Sequence, residues 1–141
     1  MRLSLLLILT LVCARAEDVP AWALKGILAQ ETRSHYTTTP GTPIEYVDRA
    51  VGADGELGPF QMTKDAFDQV KKNGESFTRL KSDTRYAEKL AIRYLEWLYD
   101  NAAKGDWHIA VAMYNTGPTG YRRQHSRAIA YLRKVRRLGG G

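Results

Sequence analysis

Between Asp83 and Ala103 the apolar residues Ala87, Leu90, Ala91, Tyr94, Leu95, Leu98 and Ala102 recur at intervals of three and four. That spacing lays them along one stripe of an α-helix, which has to be covered by other elements. Nowhere does the chain alternate polar and apolar residues long enough to build a sheet core, so the covering elements are helices too.

Other segments share the period. A first helix is expected from near Asp18, with Pro20 just inside and Ala23, Leu24, Ile27 and Leu28 on its apolar side. A short helix from Lys64 to about Lys72 buries Ala66, Phe67 and Val70. Asp106 is suited to cap a helix through Trp107, Ala110, Val111 and Tyr114, stopped by Asn115-Thr116-Gly117-Pro118. A last, basic amphipathic helix from Ser126 to Leu138 should pack through Ile129, Leu132 and Val135. Between Thr37 and Gly58 the breakers Pro40, Gly41, Pro43, Gly52, Gly55 and Gly58 indicate a long loop, with a short strand or ribbon around Pro43 to Val47. Long loops in compact domains often carry function.

The chain opens on a basic residue and a nearly unbroken apolar run to Cys13, followed by the small-x-small sequence Ala14-Arg15-Ala16. The run is shorter than the roughly 20 residues that a spanning helix needs and reads as a secretion signal over residues 1–16. Cys13 as a lipid-attachment site is the other reading, against which stands the branched Val12 before it. Residues 17–141 then form one domain without cysteine, resting on packing alone in an exported setting, periplasmic or extracellular.

Charge is unevenly spread. From Arg122 onward come Arg122, Arg123, Arg127, Arg133, Lys134, Arg136 and Arg137 with no acid. Such a tail suits an anionic wall, a membrane surface or nucleic acid, or is simply a solvated cationic helix end. Nucleic acid fits least, because the tail lacks the aromatic interleaving of a stacking platform.

Glu31 falls on the apolar stripe of the first helix, four residues after Ile27 and three after Leu28. A carboxylate there is costly to bury charged, and a helix end just past Arg33 would add the negative end of the dipole. Both effects favour the neutral acid and suit a general acid. A surface Glu paired with Arg33 is the plainer alternative.

Three segments appear in order along the chain: Gln30-Glu31-Thr32, then Gly55-Glu56-Leu57-Gly58-Pro59-Phe60-Gln61-Met62, then Ala112-Met113-Tyr114-Asn115-Thr116-Gly117-Pro118. Together they resemble the soluble lytic transglycosylase domain, a lysozyme-like fold, over roughly Trp22 to Tyr121. That family has a catalytic Glu usually followed by Ser, a Gly-Leu-Met-Gln segment and an Ala-Tyr-Asn-Ala-Gly-Pro segment, with a long helix between the last two. The resemblance puts Glu31 at the catalytic acid and Gly58, Phe60, Gln61, Tyr114 and Asn115 at substrate-binding positions. Thr32 replaces the usual Ser, Pro59 the usual Leu and Phe60 the usual Met, and the stretch from Glu31 to Gly55 is longer than in typical members.

The residue types suit those roles. Gly55 and Gly58 could bring backbone against a sugar ring or merely punctuate a turn. Gln61 and Asn115 offer neutral donors and acceptors for hydroxyl and N-acetyl groups, or hold helices together. Tyr114 could hydrogen-bond the acid and pack on sugar. His35, His108 and His125 are scattered singly, so neither a metal site nor a cofactor is expected. No nucleophile elbow or phosphate loop is present.

The resemblance implies cleavage of the β-1,4 bond between N-acetylmuramic acid and N-acetylglucosamine in peptidoglycan, by a monomer. It further implies 1,6-anhydromuramoyl products, with the substrate's own groups standing in for an enzyme nucleophile. A goose-type lysozyme hydrolysing the same bond is the rival, and would draw its second carboxylate from Asp48, Asp54 or Glu56. A non-catalytic wall-binding or nucleic-acid-binding module is the remaining alternative.

Overall fold

The structure is a computed structural model and describes residues 18–47 and 50–141. The expected secretion signal, with Cys13, lies outside the described residues, as does Asp48. The elements run α1 (Ala21–Thr32), α2 (Lys64–Val70), a 3-10 turn (Phe77–Lys81), α3 (Thr84–Asn101), α4 (Trp107–Arg123) and α5 (His125–Gly139). The fold is mainly α, as the sequence period requires. No helix among the described residues is long and apolar enough to cross a membrane.

Side-chain caps set several helix starts. Asp83 accepts from the Tyr86 amide, Thr63 from the Ala66 amide, and Asp106 from the amides of His108 and Ile109. At α1 the outcome differs from expectation: Pro20 occupies the cap position and no side chain caps the helix, so Asp18 has no such role. The expected stop at Asn115–Pro118 is where the first helical run of α4 ends. Gly117 leaves helical geometry at φ 70°, ψ 171°, and the chain then resumes a helix to Arg123. Pro118 there removes a backbone donor, which fits a kink.

The core joins all five helices. In α3 the residues Ala87, Leu90, Ala91, Tyr94, Leu95 and Leu98 are buried. In α5 the buried residues are Ala128, Tyr131 and Val135, whereas Ile129 and Leu132 of the expected stripe are half-buried. The helix is turned slightly from its expected orientation by its packing on α1, its most extensive partner. Gly26 makes that packing close, since a Cβ there would overlap the Val135 carbonyl oxygen.

No strand forms around Pro43 to Val47. Ile44 makes one antiparallel bridge with Tyr36, and two further single bridges, Val51 with Leu57 and Leu57 with Met62, fold the rest of the loop. The loop is tied to α3 by the Gly41 amide, which donates to the Glu88 carboxylate at 3.1 Å.

Candidate active site

Glu31 is the penultimate residue of α1, half-buried, and the helix stops one residue later as Arg33 turns left-handed at φ 58°. The buried Thr32 hydroxyl lies 3.0 Å from the Pro59 carbonyl and 3.2 Å from that of Leu28. This contact ties the end of α1 to the turn at residues 58–61. A hydroxyl is what the contact needs, so Thr in place of Ser retains it.

That turn is built by its glycine. Gly58 sits at φ 79°, and a Cβ on it would overlap the Leu80 carbonyl oxygen. Its amide donates to the Ala50 carbonyl at 2.8 Å, while its own carbonyl accepts from the Gln61 amide and the Gln61 Nε2 at 3.0 and 2.9 Å. Reciprocal Leu57–Met62 backbone bonds of 3.0 Å close it. Upstream, the Gly52 amide donates to the Glu56 carbonyl at 2.7 Å, and the Asp54 amide donates to the Glu56 carboxylate at 3.1 Å.

Two tyrosines lock these pieces together. The Tyr114 hydroxyl in α4 donates to the Phe60 carbonyl at 2.9 Å. Its single proton is thereby committed to the turn. The Glu31 carboxylate instead receives the Tyr131 hydroxyl of α5, at 2.8 Å from Oε1. Burial first, and then the nearby Glu31 carboxylate, push both phenols well above their usual pKa. Both therefore remain protonated donors across any working pH.

Glu31, Asp54, Glu56, Gln61, Tyr114 and Asn115 line one narrow cleft of about 200 Å³. Through Thr63, Tyr114 and Asn115 it adjoins a larger cavity of about 370 Å³ that reaches Tyr94, Trp97 and the kinked segment Thr116 to Thr119. The two make a groove lined by hydroxyl, amide and aromatic groups, which suits a polyhydroxylated chain.

Of the residues singled out in the sequence, Glu31, Gln61, Tyr114 and Asn115 meet in the cleft. Gly58 and Phe60 do not line it. Phe60 is 1% exposed, its ring in the core and only its carbonyl engaged by Tyr114. Gly55 has open space around it at φ 86°. Asp54 and Glu56 do line the cleft. Tyr131 was not among the expected site residues. Its signal was its place between Ala128 and Val135 at helical spacing, hidden among the surrounding arginines.

Residues 45–135 match the transglycosylase SLT domain family, more than half of the chain. Gln61, Tyr114, Asn115 and Tyr131 fall inside the matched span, and Glu31 precedes it. No curated protein and no solved structure matches. The chain belongs to the transglycosylase SLT domain family, within the lysozyme-like superfamily.

Proposed function

We propose that this chain is a peptidoglycan lytic transglycosylase in which Glu31 is the catalytic acid and then the base. Membership of the family carries a peptidoglycan-directed, transglycosylase-type function. The observation that supports the finer reading is the placement of Glu31 in a narrow cleft, where it accepts from the buried Tyr131 hydroxyl and is bordered by Gln61 and Asn115.

In the first step protonated Glu31 gives its proton to the glycosidic oxygen between N-acetylmuramic acid and N-acetylglucosamine. The bond from that oxygen to muramyl C1 breaks, and the glucosamine side leaves with a free hydroxyl. The substrate's N-acetyl oxygen supports the positive charge at C1, the role taken elsewhere by a second carboxylate. Ionised Glu31 then takes the proton of the muramyl C6 hydroxyl as its oxygen bonds to C1, closing the 1,6-anhydro ring without consuming water. Half-burial and the carbonyl end of α1 support the acid form, while the Tyr131 hydroxyl supports the carboxylate needed in the second step.

Gln61 and Asn115 orient the sugars through neutral hydrogen bonds. One chain supplies the whole cleft, and the protein acts as a monomer on exported wall polymer, its leader being residues 1–16. No cofactor or metal enters the scheme.

Asp54 and Glu56 give the hydrolytic reading a specific footing, because both carboxylates share the cleft with Glu31 and could steer a water. Mass spectrometry of products from purified peptidoglycan separates the two. Anhydromuramoyl ends are expected; reducing muramic ends alone would establish a lysozyme.

A further inference from the structure

The outer face of α5 carries a charge pattern that glycan cleavage does not use. Between His125 and Gly139 there are four arginines, one lysine and no acid. Advancing about 100° per residue, Ile129, Arg133 and Arg136 lie roughly 140–160° around the helix from Tyr131, the residue that points to Glu31. This face is therefore averted from the cleft. On it Arg133, Arg136 and Arg137, all exposed, border a shallow cavity of about 440 Å³ whose apolar lining is Ile129 and Leu132.

We propose that this face docks the protein on an anionic phospholipid bilayer. Arginine in preference to lysine matters, because the guanidinium fork meets phosphate oxygens through two parallel hydrogen bonds. Half-buried Ile129 and Leu132 among the arginines suit the boundary between headgroups and acyl chains better than they suit a fully hydrated glycan. The inner stripe of Ala128, Tyr131 and Val135 is already buried in the core, so α5 adsorbs on the surface without inserting.

The charges are segregated in the way docking needs. Among the described residues, the charged groups lining the cleft around Glu31 are the carboxyl groups of Glu31, Asp54 and Glu56, whereas those of the α5 face are guanidinium groups, so an anionic surface is drawn to α5. Bound through α5, the protein would hold its cleft open toward polymer on the far side. This inference does not depend on the catalytic reading.

The test is co-sedimentation of the full chain with vesicles containing about one-third phosphatidylglycerol, with neutral phosphatidylcholine vesicles, and with purified peptidoglycan, at about 0.1 M salt. Wild type is expected to sediment with the anionic vesicles and not with the neutral ones. The triple variant Arg133→Gln/Arg136→Gln/Arg137→Gln should lose at least about tenfold in partitioning, since each cation near such a surface contributes. A second triple variant, Lys81→Gln/Arg85→Gln/Lys89→Gln, removes the same charge from exposed positions elsewhere and should bind nearly as wild type. Equal loss in both variants would reduce the effect to net charge and overturn the proposal. Retention by peptidoglycan but not by anionic vesicles would also overturn it, making α5 a wall-binding face. Cleavage of soluble glycan strands, followed in parallel, reports on the catalytic reading separately.

Discussion

Tyr131 in α5 donates a 2.8 Å hydrogen bond to Glu31 in α1, across 100 residues of chain. The contact exists because Gly26 lets α5 approach α1 closely enough for a buried phenol to reach the end of that helix.

Tyr131→Phe keeps the ring in the core and removes only the donor. Turnover is expected to fall about tenfold, the size of one charge-assisted hydrogen bond of roughly 1.4 kcal/mol, with KM nearly unchanged. The hydroxyl favours the ionised carboxylate, so without it the limb of the pH–rate profile governed by Glu31 should move to higher pH. An unmoved profile would make Tyr131 a packing residue only.

Glu56→Gln tests whether one of the cleft's two other carboxylates is chemical. Because the substrate's own groups serve in the proposed reaction, anhydro product should still form within about tenfold of wild type, a span of roughly 1.4 kcal/mol. Complete loss, with circular dichroism unchanged, would assign Glu56 to the chemistry.

The two loop glycines should respond differently to alanine. At Gly55 the strain is that of a positive φ in open space, an expected cost of about 1 kcal/mol. At Gly58 overlap with the Leu80 carbonyl adds to the positive φ, and about 3 kcal/mol or more is expected. Urea unfolding of the two variants gives the comparison directly.

Four of the five buried tyrosines set an alkaline limit. Burial, foremost, raises Tyr94 to about 12 and moves Tyr36, Tyr114 and Tyr131 above the usual phenol value, Tyr36 with help from Glu88 and the last two from Glu31. Their protons stay on in the folded chain while the unfolded chain releases them above its own pKa near 10. Stability is thus complete below about pH 10 and is lost above it, by up to about 1.4 kcal/mol per pH unit for each tyrosine. Urea unfolding between about pH 9 and pH 12 should show that slope, and Tyr36→Phe should reduce it.

Helical periodicity in the sequence marks α3 and the Asp106 cap of α4 because both are local: a stripe at three- and four-residue spacing and one side chain beside its own helix start. The meeting of Glu31, Gln61, Tyr114 and Asn115 in one cleft was foreshadowed by motif order. The Tyr131 contact to Glu31 was not, since nothing near Tyr131 signals a contact 100 residues away. Gly58 illustrates a different limit. Its sequence shows that a side chain is unwelcome, but not that the intruding atom is the Leu80 carbonyl rather than a sugar. The Asn115–Pro118 segment reads as a stop because both Gly and Pro end helices, and the helix does break at Gly117, but a second helical run to Arg123 begins directly after it.

The most direct measurement is the rate at which Glu31→Gln releases soluble fragments from purified peptidoglycan, against wild type at matched circular dichroism. Gln keeps the shape of the side chain and a group able to accept the Tyr131 hydrogen bond, but it cannot deliver a proton. With Glu31 as acid and base, the rate should fall by at least about 100-fold, the lower range for losing a positioned general acid. A variant that releases fragments at close to the wild-type rate would contradict the catalytic role of Glu31.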